Sequence, residues 1–397
     1  MRKLYTLAIG IFFCFNMSGG DKTSPQINVG ITPDGKALME ASVAGIGKNE
    51  PEQLNNLAKG NFEWKALWAR PIKTHKEADD LISLTKIMKC NVLIIYTEGR
   101  GKAMYGSKIL SPEKRIEEDT LKYLIGQAHK NNIGIYAWVV NLSVSQEFAE
   151  KHPGLMQKVG VGEEDSAKLP RVNPDRENIH RANWLCPDHG LTEYEKSIFN
   201  EVIREFDFDG LALDYIGYRN YYGCFCEYSI AKRQEFADKH PELSAFEIIR
   251  QFSEDSLVRY TGEIRDSVKS MKKDVKLTIH IYPDFDLNPA YANRLPLEYC
   301  GQTIAWFYKP FWSYGKIYDV CMLYKKAEGK FVSYNKFVPF IGAYPDDKLK
   351  SEERLRKEIR IAGLTNNGTI MFAFAQTFFK HPELAKIVAD ELSNGSN

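Results

Sequence analysis

The chain has 397 residues, 53 of them basic and 52 acidic, for a formal net charge of +1. That length holds one large barrel or two ordinary domains, and so even a balance of charge leaves no electrostatic footprint for nucleic acid or an anionic membrane. Aromatic residues make up 12% of the chain, enough to serve sugar stacking as well as core packing.

At the N-terminus, Arg2 and Lys3 precede the apolar run Leu4 to Phe15, and Ser18-Gly-Gly20 supplies small residues. This is the layout of a signal peptide cleaved near Gly20, so residues 1–20 are set apart from the fold and export is expected. The run is too short to span a bilayer, and the mature chain is expected to carry no transmembrane helix. Cys14 raises lipidation, but Ile11-Phe-Phe stands before it where a lipoprotein signal has small residues. Residues 21–60 read as an extension in which Pro33-Asp-Gly closes a small hairpin.

A regular rhythm begins at residue 61. Phe62 to Trp68 is a first strand, followed by an amphipathic helix over Lys76 to Lys89 and a second strand from Asn91 to Thr97. A helix over Glu113 to Asn131 leads to the third strand, Ile133 to Val140. A long connection (residues 142–189) precedes a helix from Thr192 to Phe206 and a fourth strand, Leu211 to Ile216. A second excursion, with Tyr218, Tyr221, Tyr222 and a Cys-Phe-Cys turn, runs into a long helix over Ser244 to Met271. Strands at Lys276–Tyr282, Gln302–Tyr308, Phe337–Tyr344 and Thr369–Ala375 complete the set, with helices at Ser351–Thr365 and Glu383–Leu392. Eight apolar strands separated by helical stretches predict parallel βα units. Over roughly 330 residues that is the count of a (β/α)8 TIM barrel, here with long loops after strands three and four and with residues 61–394 as its domain. The rival, an open doubly wound sheet, would carry a Gly-rich phosphate turn after its first strand, and Arg70-Pro-Ile-Lys is no such turn.

Chemistry in such barrels is done at the C-terminal strand ends. Alternation on the fourth strand sends Leu211, Leu213 and Tyr215 one way and Ala212 and Asp214 the other, which makes Asp214 the leading catalytic candidate. Glu98, Asp284 and Asp286 compete as its partner. Each has a plainer role: Glu98 pairing with a loop arginine, the two aspartates shaping a Pro-containing turn. Arg70, Arg100, Asn141, Tyr215, Trp306, Tyr344, Asp346 and Gln376 are the expected substrate-binding rim. His280, inside a strand, reads as a hydrogen-bonded core histidine. Acids plus aromatics suit glycoside hydrolysis, while acyl and phosphoryl transfer lack their motifs. No cofactor is called for.

After Cys14, six cysteines remain: Cys90, Cys186, Cys224, Cys226, Cys300 and Cys321. None has finger-like ligand spacing, so no metal is expected. An exported chain permits disulfides, and a bridge from Cys186 to the Cys224/Cys226 turn is predicted, closing a loop of about 40 residues.

The stretches Asn91 to Tyr105, Leu121 to Trp138, Trp184 to Pro187 and Asp207 to Tyr218, with the last two strands, resemble the bacterial glycosyl-hydrolase-like barrel proteins, family 10-like and often lipoproteins. The resemblance covers about residues 64–380 and implies a (β/α)8 barrel, export and action on a glycan, with the fourth-strand acid at Asp214. The fourth strand is also similar to the chitinase-like family 18 pattern Asp-Gly-x-Asp-x-Asp-x-Glu. There Asp209, Gly210 and Asp214 fit, but Ala212 and Ile216 replace the middle acid and the proton donor, so that chemistry is rejected. The resulting expectation is an exported glycoside hydrolase acting on a poly- or oligosaccharide. A barrel that binds glycan without cleaving it is the alternative. Two carboxyls within about 5 to 10 Å across one cleft would mark the enzyme.

Overall fold

The computed structural model describes residues 30–31, 37–38, 54, 57–112, 119–158, 183–219, 223–281, 289–305, 311–343, 349–365 and 368–393. Eight parallel strands form the barrel: β1 (Trp64–Ala69), β2 (Val92–Gly99), β3 (Gly134–Val140), β4 (Gly210–Asp214), β5 (Lys276–Ile281), β6 (Tyr299–Ala305), β7 (Lys336–Gly342) and β8 (Thr369–Ala373). Each pairs with its chain neighbour, and β8 pairs with β1 to close the ring. The helices α1 (His75–Ile87), α2 (Thr120–Lys130), α3 (Glu193–Glu205), α4 (Glu227–Lys239), α5 (Ala245–Met271), α6 (Tyr314–Ala327), α7 (Glu352–Thr365) and α8 (Pro382–Glu391) cover the outside. The strands are buried on both faces, which is why they read as near-continuous apolar runs.

Alternation divides these runs into two cores. Leu67, Leu93, Ile95, Leu211, Leu213 and Ile279 face the helices, whereas Ala66, Trp68, Ile94, Trp138, Ala212, Phe340 and Met371 fill the lumen. Two strand glycines make room for the bulky lumen residues. A Cβ at Gly210 would sit 2.5 Å from the Tyr136 ring, and one at Gly301 would sit 2.0 Å from the end of Met371. The long helices start where local chemistry tells them to. Thr192 with Glu195 and Ser244 with Glu247 form complete capping boxes at α3 and α5, each satisfying otherwise orphaned N–H groups. At the bottom of β4, Asp209 accepts from the Ile135 N–H at 2.8 Å and lies 3.1 Å from His129. This acid ties two strands together far from the upper face.

Gly30–Ile31 pairs antiparallel with Ala37–Leu38, as expected of strands flanking the Pro33-Asp-Gly turn. The signal-peptide region, residues 1–20, lies outside the described residues. The sixth strand begins at Tyr299 rather than Gln302 and ends at Ala305. Helices α4 and α6 occupy stretches where periodicity predicts none. The loop after β3 holds a two-residue ladder, Ser143–Val144 against Asn183–Trp184. It is stitched to the loop after β4 by Gln157, whose amide donates to the Leu185 and Gly217 carbonyls, each at 3.0 Å. Among the described residues no helix is long and apolar enough to cross a membrane.

Candidate active site

Asp214 ends β4 on the lumen side, in step with Ala212. Its Oδ2 accepts from the Trp138 indole N–H at 3.0 Å, and its Oδ1 accepts from the Tyr215 backbone N–H at 2.9 Å. That second bond is made possible by Tyr215, which takes a left-handed conformation (φ 59°) immediately after the strand. His280, the register partner of Asp214 on β5, places Nδ1 3.4 Å from Asp214 Oδ1 and Nε2 2.9 Å from the Thr303 hydroxyl. The result is a carboxylate–imidazole–hydroxyl chain across β4, β5 and β6. Thr303 is wholly buried, so its hydroxyl positions the imidazole and has no route to a substrate. His280 is therefore hydrogen-bonded, as its place inside a strand predicts, and it also faces the acid.

Aromatic rings surround this acid on the β1–β3 side. Trp138 meets Trp68 and Tyr96 edge-on, each at 4.9 Å, and stacks on Phe374 at 5.8 Å and 11°. Arg70 lies over the Phe374 ring at 5.1 Å, and its backbone N–H donates to Gln376 Oε1 at 3.1 Å. Arg70 and Gln376 thus sit together at the β1–β8 edge, joined to Asp214 through Phe374 and Trp138. Asn141 follows β3 and holds the two strand ends: its N–H donates to the Asp214 carbonyl at 2.9 Å, and its Oδ1 accepts from the Asp214 N–H at 3.3 Å. Arg100 is exposed in a left-handed turn after β2. Tyr215 is half-buried and meets Trp184 edge-on at 5.8 Å. Asp284, Asp286, Trp306, Tyr344 and Asp346 lie outside the described residues.

Glu98 is placed elsewhere. Strict alternation from Ile94 and Tyr96 would turn it into the lumen, but the β2–β3 register shifts between Tyr96 and Glu98, and Glu98 pairs with Val139. Val139 belongs to the outer core. Glu98 accordingly lines a cavity of about 20 Å³ with Glu195, Ile198 and Phe199 of α3, space for roughly one water. Burial, and then the charge of Glu195, push the Glu98 carboxyl well above its ordinary range. Burial raises Glu195 too, against hydrogen bonds from Tyr260 and Thr192 that lower it.

These shifts make a pH prediction. Below the ordinary glutamate value both folded and unfolded chains hold the proton. As pH rises from there toward the raised folded value, the unfolded chain releases its proton first and stability falls. The slope is at most about 1.4 kcal/mol per pH unit for each proton. Glu98→Gln keeps the shape without the charge, so its melting temperature should fall less than the parent's between about pH 5 and pH 8. Parallel pH dependences for the two proteins would show that Glu98 is not the titrating group.

Residues 77–215, from α1 through Asp214 and the residue after it, match the family described as "Hypothetical glycosyl hydrolase 6". No curated protein matches the sequence. Among solved structures the fold is similar to α-L-fucosidase isoenzyme 2 from Paenibacillus thiaminolyticus, with a TM-score of 0.57 and 14% identity over 84% of this chain and 49% of that one. It is similar as well to the PgaB (BpsB) glycoside hydrolase domain from Bordetella bronchiseptica, with a TM-score of 0.55 and 12% identity over 84% of this chain and 99% of that one. A β-galactosidase from Halorubrum lacusprofundi gives a TM-score of 0.53 and 11% identity over 79% and 52% of the two chains. The chain therefore spans about half the length of the fucosidase and the galactosidase, and nearly all of the Bordetella domain. Identities this low show a shared (β/α)8 fold.

Proposed function

We propose that this protein is an exported glycoside hydrolase that cleaves a poly- or oligosaccharide, with Asp214 as a catalytic carboxylate. The observation that carries the proposal is the placement of Asp214: an acid at the C-terminal end of a barrel strand, turned to the lumen beside Trp138, Tyr96 and Phe374. Acids at that end of a barrel are the chemical positions, and aromatic faces suit a sugar ring. The glycosyl hydrolase match over residues 77–215 supports the same class. Glu98 faces α3, which leaves Asp284 or Asp286 as the partner acid in this proposal. Both follow β5, the strand that pairs with β4 at Asp214. Arg70, Gln376 and Arg100 would hold substrate hydroxyls at the rim. Kinship with family 10-like barrels, which rests on the stretches between Asn91 and Tyr218, and passage out of the cytoplasm, which rests on the N-terminal layout, belong to the same proposal.

A second function, glycan binding without cleavage, has its own support. Asp214 is 1% exposed and both its oxygens already accept from protein donors. The purified protein incubated with a panel of polysaccharides separates the two, with released reducing ends and retention on the same glycans measured side by side. Hydrolysis of at least one member is the expected result. Retention without any release would replace the enzyme with the binding protein.

A further inference from the structure

The two long loops meet beside the barrel mouth, and metal-ligating side chains converge where they touch. Cys186 and His189 bracket a single 3-10 turn (Pro187–His189) in the loop after β3. Cys226 comes from the loop after β4 and caps the N-terminus of α4. Its Sγ lies 3.9 Å from Sγ of Cys186 and 3.8 Å from Nε2 of His189. All three donor atoms lie within 4.8 Å of one another.

Those separations have a simple geometric meaning. A tetrahedral ion bonded to sulfur at about 2.3 Å and to nitrogen at about 2.0–2.1 Å sets two sulfurs about 3.8 Å apart, and a sulfur and a nitrogen about 3.6 Å apart. The two separations measured from Cys226 match such an ion to within a few tenths of an ångström, and the third donor pair lies within 4.8 Å. A disulfide needs sulfurs at about 2.05 Å, so Cys186 and Cys226, at 3.9 Å, would have to close much further. Cys186, Cys224 and Cys226 are free thiols.

The surroundings are those of a bound thiolate set. Cys224 Sγ accepts from the backbone N–H groups of Lys158 and Cys226 at 3.3 and 3.4 Å. The Ser229 hydroxyl lies 3.2 Å from Cys186 Sγ and 3.1 Å from Cys226 Sγ. The first turn of α4 presents its positive end to Cys226, with the Ser229 N–H at 3.5 Å. The His189 ring stacks on Tyr228 at 4.2 Å and 22°, which fixes its orientation as outer partners of metal-bound histidines do.

We propose that Cys186, His189 and Cys226 hold one zinc ion, with the neighbouring Cys224 turning in as fourth donor, in a closed structural site that staples the loop after β3 to the loop after β4. Sulfur-rich donor sets with one imidazole select zinc among the common divalent ions. Four protein donors leave no position for water, so the ion has a structural role. The sequence spacing hides the site because α3 and β4 separate Cys-Pro-Asp-His from Cys-Phe-Cys. The proposed site runs against the absence of a metal expected from that spacing. The staple would act together with the Tyr218 hydroxyl, which donates to Asp188 at 2.5 Å, to set the wall next to Asp214.

The test uses the full chain, purified without chelator from zinc-supplemented cells. Metal analysis should find one zinc per chain that survives gel filtration. Exchange into cobalt(II) should give the intense thiolate-to-cobalt absorption of a tetrahedral site. Cys226→Ser and His189→Asn should lose the zinc, while Cys300→Ala, which alters a buried thiol elsewhere, should keep it. The wild-type zinc content and cobalt spectrum stand even if a ligand variant fails to fold. A metal-free chain with alkylatable thiols would overturn the site. So would a Cys186–Cys226 or Cys186–Cys224 disulfide found by non-reducing peptide mapping, or zinc retained at full content in Cys186→Ser/Cys226→Ser.

Discussion

Asp214→Asn should cut glycan hydrolysis by about 10²- to 10⁴-fold, the usual worth of a positioned acid or base. The substitution keeps the shape and removes the charge. An asparagine oxygen still accepts from Trp138 or from the Tyr215 N–H, the donors that hold the carboxylate now. Stability should therefore fall by no more than about 1.5–3 kcal/mol, the value of hydrogen bonds to a charged group. Glycan retention should survive. Initial rates, retention and thermal melting measured on one preparation decide the matter. Unchanged turnover removes Asp214 from catalysis. A collapse of melting temperature in step with activity makes it a structural acid that ties Tyr215 and His280 to the end of β4.

The largest stability effect is expected at Lys350 and Glu358. Both side chains are fully buried, with Nζ 2.7 Å from Oε2. Lys350 also donates to the Ala305 carbonyl at 3.3 Å, so it pins the approach to α7 against the end of β6. Glu358→Leu strands a lysine without its counter-ion, and burial already lowers that lysine's pKa. Breaking a buried pair this way costs about 3–5 kcal/mol, a melting shift on the order of 10 °C. Lys350→Met should cost less, because Arg354 remains 2.8 Å from Glu358. Joint replacement, Lys350→Met with Glu358→Leu, should recover most of the loss, since apolar packing can substitute for a buried pair. A Glu358→Leu loss below about 1 kcal/mol would mean that water reaches the pair.

The barrel was legible because its strands are written in apolar runs and its helices, for the most part, in helical periodicity. Asp214 was legible for the same reason: period-two alternation from Leu211 onward assigns its side correctly. The same rule points Trp138 inward with Tyr136 and Val140, and applied there it would have found the indole that holds the acid. Asn141, chosen as a strand-end residue, turned out to serve the backbone of β4. Glu98 escaped because a bulge shifts the register of β2 by one residue, and nothing in Tyr96-Thr97-Glu98 announces it. Helix α4 was missed since its buried residues are Ser229 and Arg233, which form no apolar stripe. In α6 the buried face is made by Gly315, Ile317, Cys321 and Tyr324, again a weak stripe. The cysteine cluster needed the fold, because only the barrel brings the two loops side by side.

The strand that closes the ring is also the last one made. β8 bonds to β7 on one side and to β1 on the other, so until Thr369–Ala373 leaves the ribosome the sheet has two unpaired borders. Those borders, β1 and β7, are apolar and buried in the finished protein. Exposed borders of that kind invite pairing with other chains. Each strand added before β8 thus lengthens a vulnerable sheet, and the short segment Thr369–Ala373 ends the hazard at a stroke. Closure of this barrel waits on its eighth strand.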